Sequence, residues 1–231
     1  MSGYFTPFSK LLIATVVSAI VPGAGSTLVA RQRDVPLSLD RLSLNGVVAE
    51  SVTYETRQAI RLIESDKSRN TRGLAILEDV TFRDGTIEVD VAGRRGPYAV
   101  PDDRGFIGIA FRVTPTADRF EYIYLRPDNG RAQDQVRRNH STQYASHPDF
   151  PWPRLRKEFP EKYESYVDLQ SGGWTRMRVV VSGATAQLFV HDAAQPALVV
   201  NDLKLGAGEG AIALWIGAGT EGFFSNLRVR P

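Results

Sequence analysis

The chain has 231 residues, 42% of them hydrophobic and 23% charged, which is ordinary for a globular protein and enough for one domain. It has no cysteine, which excludes disulfides and thiol catalysis, and its formal net charge is only +2. Such a balance offers no excess of basic charge for a nucleic acid, so none is expected as a partner. Twenty glycines and thirteen prolines favour many turns over long helices.

Residues 1–30 read as an export signal: Lys10, a mostly apolar run from Leu11 to Val21, then small residues from Gly23 to Thr27 and Leu28-Val29-Ala30 before Arg31. The apolar run is short and broken by Pro22, so a cleaved signal is expected rather than a membrane anchor. Residues 31–231 then form a single exported domain with no membrane association after cleavage. Cleavage removes one Lys and no acid, leaving a net charge near +1.

From Pro36 onward the sequence is a succession of short alternating segments. Val52 to Ile63 alternates throughout and reads as one strand, followed by a polar turn at Asp66 to Arg72 and an apolar stretch from Leu74 to Val80. Thr86 to Val91 places Ile87, Val89 and Val91 on one face. A Gly-, Pro- and Arg-rich loop (Gly93 to Arg104) leads to strands at Phe106–Val113 and Phe120–Arg126. Further strands are predicted at Trp174–Val181 and Ala184–His191, joined at Ser182-Gly183, and at Ala197–Val200, Ala211–Ile216 and Phe223–Val229. The best short helical candidate is Pro153 to Lys162. The pattern predicts an all-β protein with two antiparallel sheets packed as a jelly-roll sandwich, since the chain is about twice the usual immunoglobulin length.

One sheet face concentrates polar and aromatic residues. With period two, Ile107, Ile109 and Phe111 point inward and leave Gly108, Ala110 and Arg112 opposite. On the neighbouring strand Tyr122, Tyr124 and Arg126 share that outer face, and Trp215 joins it in phase. Small residues would open a depression, with tyrosines as walls and arginines as forked donors. Residues 127–166 are expected as a long, partly ordered loop that packs back as a lid, because Tyr144, Phe150, Trp152, Leu155, Phe159, Tyr163 and Tyr166 anchor it. Its polar run includes Gln135, Arg138, Asn139 and His140.

The predicted catalytic set is His140, Tyr124 and Arg126, with His140 as base. The predicted substrate-binding set is Arg112, Tyr122, Gln135, Arg138, Asn139, Tyr144, Trp152 and Trp215. His140, His147 and Asp149 fit no strong zinc pattern, and Asp102-Asp103 reads as a solvated loop, so neither a metal nor a cofactor is expected.

The segments FRDGTIEVDV, GFIGIAFRV, FEYIYLRP, GGWTRMRVVVSGATAQLFV and GAIALWIGAGTEGFFSNLRVR, across Leu44 to Arg230, resemble the concanavalin A-like lectin and glucanase superfamily. They are most similar to its branch of 3-keto-disaccharide hydrolase-like, laminin G-like jelly rolls. The resemblance implies the fold and a glycan or small-molecule ligand; lectins, glucanases and keto-sugar-processing enzymes share it. Retaining glucanases of the superfamily carry three alternating carboxylates on one strand. Here Glu88-Val89-Asp90-Val91-Ala92 lacks the last of them, so a two-carboxylate mechanism is disfavoured. Three functions stay open: an exported enzyme acting on a sugar or keto-sugar by hydrolysis or elimination, a non-catalytic lectin-like module, and an isomerase or cyclase on a non-sugar metabolite. The oligomeric state is not legible.

Overall fold

A computed structural model describes residues 1–4, 33–67 and 73–231. The expected export signal lies outside these residues apart from its first four. In chain order the strands are β1 Arg33–Asp34, β2 Leu42–Asn45, β3 Val47–Tyr54, β4 Arg57–Glu64, β5 Gly73–Phe82, β6 Gly85–Arg95, β7 Ile107–Val113, β8 Phe120–Leu125, β9 Thr142–His147, β10 Glu164–Ser165, β11 Thr175–Ser182, β12 Thr185–Val190, β13 Leu198–Val200, β14 Gly210–Ile216 and β15 Thr220–Arg230. Short helices α1 (Pro127–Gly130), α2 (Gln135–Asn139) and α3 (Trp152–Glu158) lie between β8 and β10.

Every strand pairing is antiparallel. One sheet runs β13-β12-β11-β6-β15-β4-β3, with β1 extending β15 beyond the end of β4. The other runs β10-β9-β8-β7-β14-β5-β2. The predicted two-sheet sandwich is therefore the observed fold. Its core lies between the sheets: Ile60, Leu62, Ile87, Val89, Val91 and Phe224 from one face Ile107, Ile109, Phe111, Ile123 and Leu214 from the other, all essentially inaccessible.

Two expectations change. Val52 to Ile63 is the end of β3, a turn and the start of β4, because Glu55 and Thr56 take φ of 44° and 68°. Paired left-handed residues make a tight hairpin turn, which glycine or asparagine normally signals and Glu-Thr does not. Residues 127–166 are likewise more than a lid. Their centre is β9, paired in register with β8 from Phe120↔His147 to Leu125↔Thr142, and β10 then closes that sheet edge.

Glu121 sits on the inner face, wholly buried, its carboxylate accepting from Tyr144 Oη (2.7 Å) and Leu205 N (2.7 Å). Burial raises its pKa above the ordinary 4.5, against the lowering effect of these hydrogen bonds. A raised folded value means that its stabilising contribution is complete below the unfolded value and is lost as pH rises through the folded one. The wild type should gain stability as pH falls from neutrality towards the carboxylate range, and Glu121→Gln should give a flatter profile. Urea unfolding at stepped pH checks this; parallel profiles would remove Glu121 as the responsible group.

Candidate functional site

The register of the second sheet sets one row on its outer face: Glu164, Gln143, Tyr124, Gly108, Trp215 and Leu74 are successive cross-strand partners. Gly108 is required at its place, since a Cβ there would stand 2.2 Å from Ile123 O and 2.7 Å from Tyr124 Cβ. The space left by Gly108 and Ala110 is filled by the rings themselves. Tyr122 and Tyr124 stack at 5.6 Å, and Trp215 lies 5.0 and 4.7 Å from them. Tyr124 and Trp215 are 2% and 4% exposed, so the expected depression is a packed aromatic layer. The indole N–H of Trp215 has no hydrogen-bond partner among the described residues.

The open space lies at the end of this row. Arg126, one position beyond β8, shares the face of Tyr124. Its Nη1 donates to Glu164 Oε1 (2.8 Å) and to the His140 carbonyl (3.1 Å). Its Nη2 donates to Gln143 Oε1 (2.8 Å) and Tyr124 Oη (3.1 Å). Asn129 Nδ2 donates to the same His140 carbonyl at 3.0 Å, tying α1 and the end of α2 to the strand. The N-cap Asp134 accepts from Arg137 N at 3.1 Å, which fixes the start of α2. Arg156 on α3 reaches down to Glu164 with two hydrogen bonds, one of 2.9 Å, and lies over the Trp152 ring at 4.6 Å.

These elements enclose a cavity of about 330 Å³ lined by Asp102, Arg104, Phe106, Arg126, Asn129, Arg137, His140, Trp152 and Arg156. His140 also borders a smaller hollow of about 270 Å³ beside Asn139 and Glu164. Three residues singled out from sequence therefore meet in one place: Arg126, His140 and Trp152. Arg104, Arg156 and the buried Glu164 have no part in the sequence expectation, and Arg137 enters it only as a member of the polar run at residues 131–140. The Arg-rich composition of residues 93–104 and the basic run of 131–138 were the available signals.

The electrostatics are unequal. Burial pushes Glu164 up, but hydrogen bonds and charge from Arg156 and Arg126 outweigh it, so the carboxylate is held ionised below its usual range. Burial, together with Arg156 and Arg126, pushes His140 below 6.5 despite Glu164, whose Oε2 lies 3.7 Å from Nε2. His140 is thus neutral at pH 7. Burial raises both Tyr122 and Tyr124, which keeps their hydroxyls protonated.

Other predicted site residues stand elsewhere. Gln135 and Asn139 bond each other along exposed α2 (2.8 Å), and Arg138 bonds Tyr166 Oη (3.0 Å). Tyr144 faces the core and donates to Glu121. It lies on β9, a strand within the segment expected as a loop, and is fully buried rather than lining a binding surface. Arg112 is at the opposite end of β7 from the cavity. A bulge against β14 places it at φ 54°, out of the alternation that predicted its face. Its guanidinium binds the carbonyls of Arg83, Gly183 and Gly206 and Asp84 Oδ1, at 2.6 to 3.0 Å. It is a clasp for three turns.

Among the described residues no group of three or more His, Asp or Glu converges as a metal site. His147 stacks on Phe120 at 5.0 Å, away from His140. Asp103 accepts from Val100 N at 2.7 Å. Glu88 and Asp90, on the outer face of the first sheet, are engaged by Arg230, and by Arg57, Arg176 and Asn226. No described helix is long and apolar enough to cross a membrane.

Among solved structures the chain is similar to the carbohydrate binding module CBM66 from Bacillus subtilis, with 11% identity, a TM-score of 0.53, and coverage of 80% of this chain and 94% of that one. It is similar also to a candidate glycosyl hydrolase from Parabacteroides distasonis ATCC 8503, with 12% identity, a TM-score of 0.53, and coverage of 87% and 98%. The shared fold is a jelly-roll-like sandwich of two antiparallel sheets. At these identities the likeness is one of fold. No family model and no curated protein matches the chain.

Replacing Arg112 with Met should cost about 3 kcal/mol, because the carbonyls of three turns lose one shared, buried donor at once. Urea unfolding measures it, and any ligand affinity at the distant cavity should be unchanged. A loss below about 0.5 kcal/mol would mean that the three turns hold without the clasp.

Proposed function

We propose that this chain is an exported saccharide-binding protein whose ligand seats in the cavity of Arg126, Arg137, His140 and Trp152. The observation that carries the reading is Trp152, 42% exposed, at the mouth of a cavity whose other walls are four arginines, Asn129, His140, Asp102 and Phe106. An indole offers a flat apolar face for a sugar ring, and planar guanidinium groups and an amide offer donors to its oxygens. Small-molecule sites combine these elements in this way. The names of the two fold neighbours, a carbohydrate binding module and a candidate glycosyl hydrolase, point towards sugars as well. The export signal expected at residues 1–30 fits contact with external or periplasmic glycans.

Binding is favoured over hydrolysis because the cavity lacks a free carboxylate pair. Glu164 is clamped by two arginines and Asp102 is paired with Arg104 at 3.1 Å. A retaining or inverting glycosidase needs two carboxyl groups free to act. Tyr124 drops out of the reacting set, its hydroxyl buried and occupied by Arg126.

A second reading, elimination, is favoured by one observation: His140 is neutral and stands among guanidinium groups. Its ring nitrogen would take a carbon-bound proton next to a carbonyl or carboxylate, an arginine would stabilise the enolate, and the β-oxygen would leave as the double bond forms.

A glycan array followed by calorimetry tests the first reading. Wild-type protein should bind a subset of saccharides, and Trp152→Ala should weaken binding at least about tenfold with an unchanged melting temperature. If no saccharide binds, the proposal falls. Accumulation of an unsaturated, ultraviolet-absorbing product, abolished by His140→Gln while binding persists, would replace it with the second reading.

A further inference from the structure

Charge in the cavity does not balance. Four guanidinium groups line it, from Arg104, Arg126, Arg137 and Arg156, and its one lining carboxylate is Asp102, with Glu164 directly beneath. Glu164 answers for Arg126 and Arg156 together, and Asp102 for Arg104 through a side chain that is itself 95% exposed. Asp128, the nearest carboxylate on α1, is taken by Arg95 at 2.9 Å. The lowered pKa of His140 leaves it neutral, so it neither adds to nor offsets the excess.

Arg137 is left over. Among the described residues its guanidinium has no ion pair and no hydrogen bond, and its Nε is buried without an acceptor. A buried donor without an acceptor is costly, and a charged one more so. Two parallel N–H groups of such a fork match the two oxygens of a carboxylate or sulfate.

We infer that the ligand of this cavity is an anionic saccharide, bearing a carboxylate or a sulfate ester that pairs with Arg137 while a sugar ring lies against Trp152. The inference rests on the saccharide-binding reading and narrows it to acidic sugars. Arg126 and Arg156, already committed to Glu164, form walls of the cavity. Arg137 supplies the selective contact.

The test is calorimetry on the full exported domain with matched probes: an oligogalacturonate against its methyl ester, and a sulfated oligosaccharide against its desulfated form. The expected result is that one acidic member binds at least about tenfold tighter than its neutral partner, the preference shrinking with added salt. Which pair shows it separates uronate from sulfate ester. Arg137→Gln should abolish the preference; because that side chain bonds nothing in the fold, its melting temperature should match wild type. Equal affinity for acidic and neutral partners overturns the inference and leaves saccharide binding standing. No binding of any probe overturns the inference, and the saccharide reading then stands or falls with the glycan array. Acetate or sulfate alone binding as tightly as the acidic saccharide would also overturn it, since the ring would then contribute nothing.

Discussion

The carboxylate of Glu164 is the point on which the cavity is built. It belongs to a two-residue edge strand, yet it is buried and accepts from guanidinium groups on two other elements, Arg126 after β8 and Arg156 on α3. Burying an ion pair is no source of stability by itself, because desolvation consumes much of the Coulombic gain. Its value here is positional. Removing the carboxylate would leave the guanidinium groups of Arg126 and Arg156 beside each other without their shared counter-ion, although Arg126 keeps its bonds to Gln143, Tyr124 and the His140 carbonyl. Backbone bonds from Ser141 to Ser165 and from Tyr144 to Tyr163 hold the short strand β10 in the sheet, and the ion pairs fix where Arg126 and Arg156 stand over it.

From that point the sheet register determines where a ligand can go. Gly108 brings Tyr124 close to the backbone of β7, and the aromatic layer of Tyr122, Tyr124 and Trp215 fills the middle of the outer face. Open space is displaced to the end of the row, where Arg126 stands and α1, α2 and α3 rise around it. The aromatic layer then serves the cavity as a floor: Phe106 meets Tyr124 edge-on at 6.2 Å, and Arg126 stacks over Tyr124 at 5.2 Å. A wall that is itself close-packed has few alternative rotamers, which keeps the donors aimed without further ordering on binding.

Much of the fold was legible because alternation is a physical consequence of burying one strand face, and most strands here bury one. The sandwich, the tyrosine-bearing strand and the gathering of Arg126, His140 and Trp152 followed from that pattern and from the anchored composition of residues 127–166. What stayed hidden depended on local breaks in the pattern. The bulge at Arg112 removed it from its face, the Glu55-Thr56 turn carries none of the usual turn residues, and β9 is too polar to read as a strand. Thr142, Gln143 and Ser146 are buried polar residues whose partners come from distant segments, as in Gln143 Nε2 donating to Tyr163 O, and periodicity registers no such partner. Glu164 and Arg156 were invisible for the same reason: a charge pair across eight residues of irregular chain has no sequence signature.

The four arginines also explain how this cavity persists. Like charges in a partly desolvated site repel, and a single buried carboxylate cannot draw all of them inward. Arg126 and Arg156 converge on Glu164, Arg104 is turned back onto its own loop by the carbonyls of Pro101 and Asp103, and Arg137 stays apart. The gap among them has the wrong chemistry to close by apolar collapse, since each wall would have to give up hydration without gaining a partner. A group that brings negative charge into that gap settles the imbalance without moving the framework. The same arrangement that keeps the cavity open therefore prepares it for an anion.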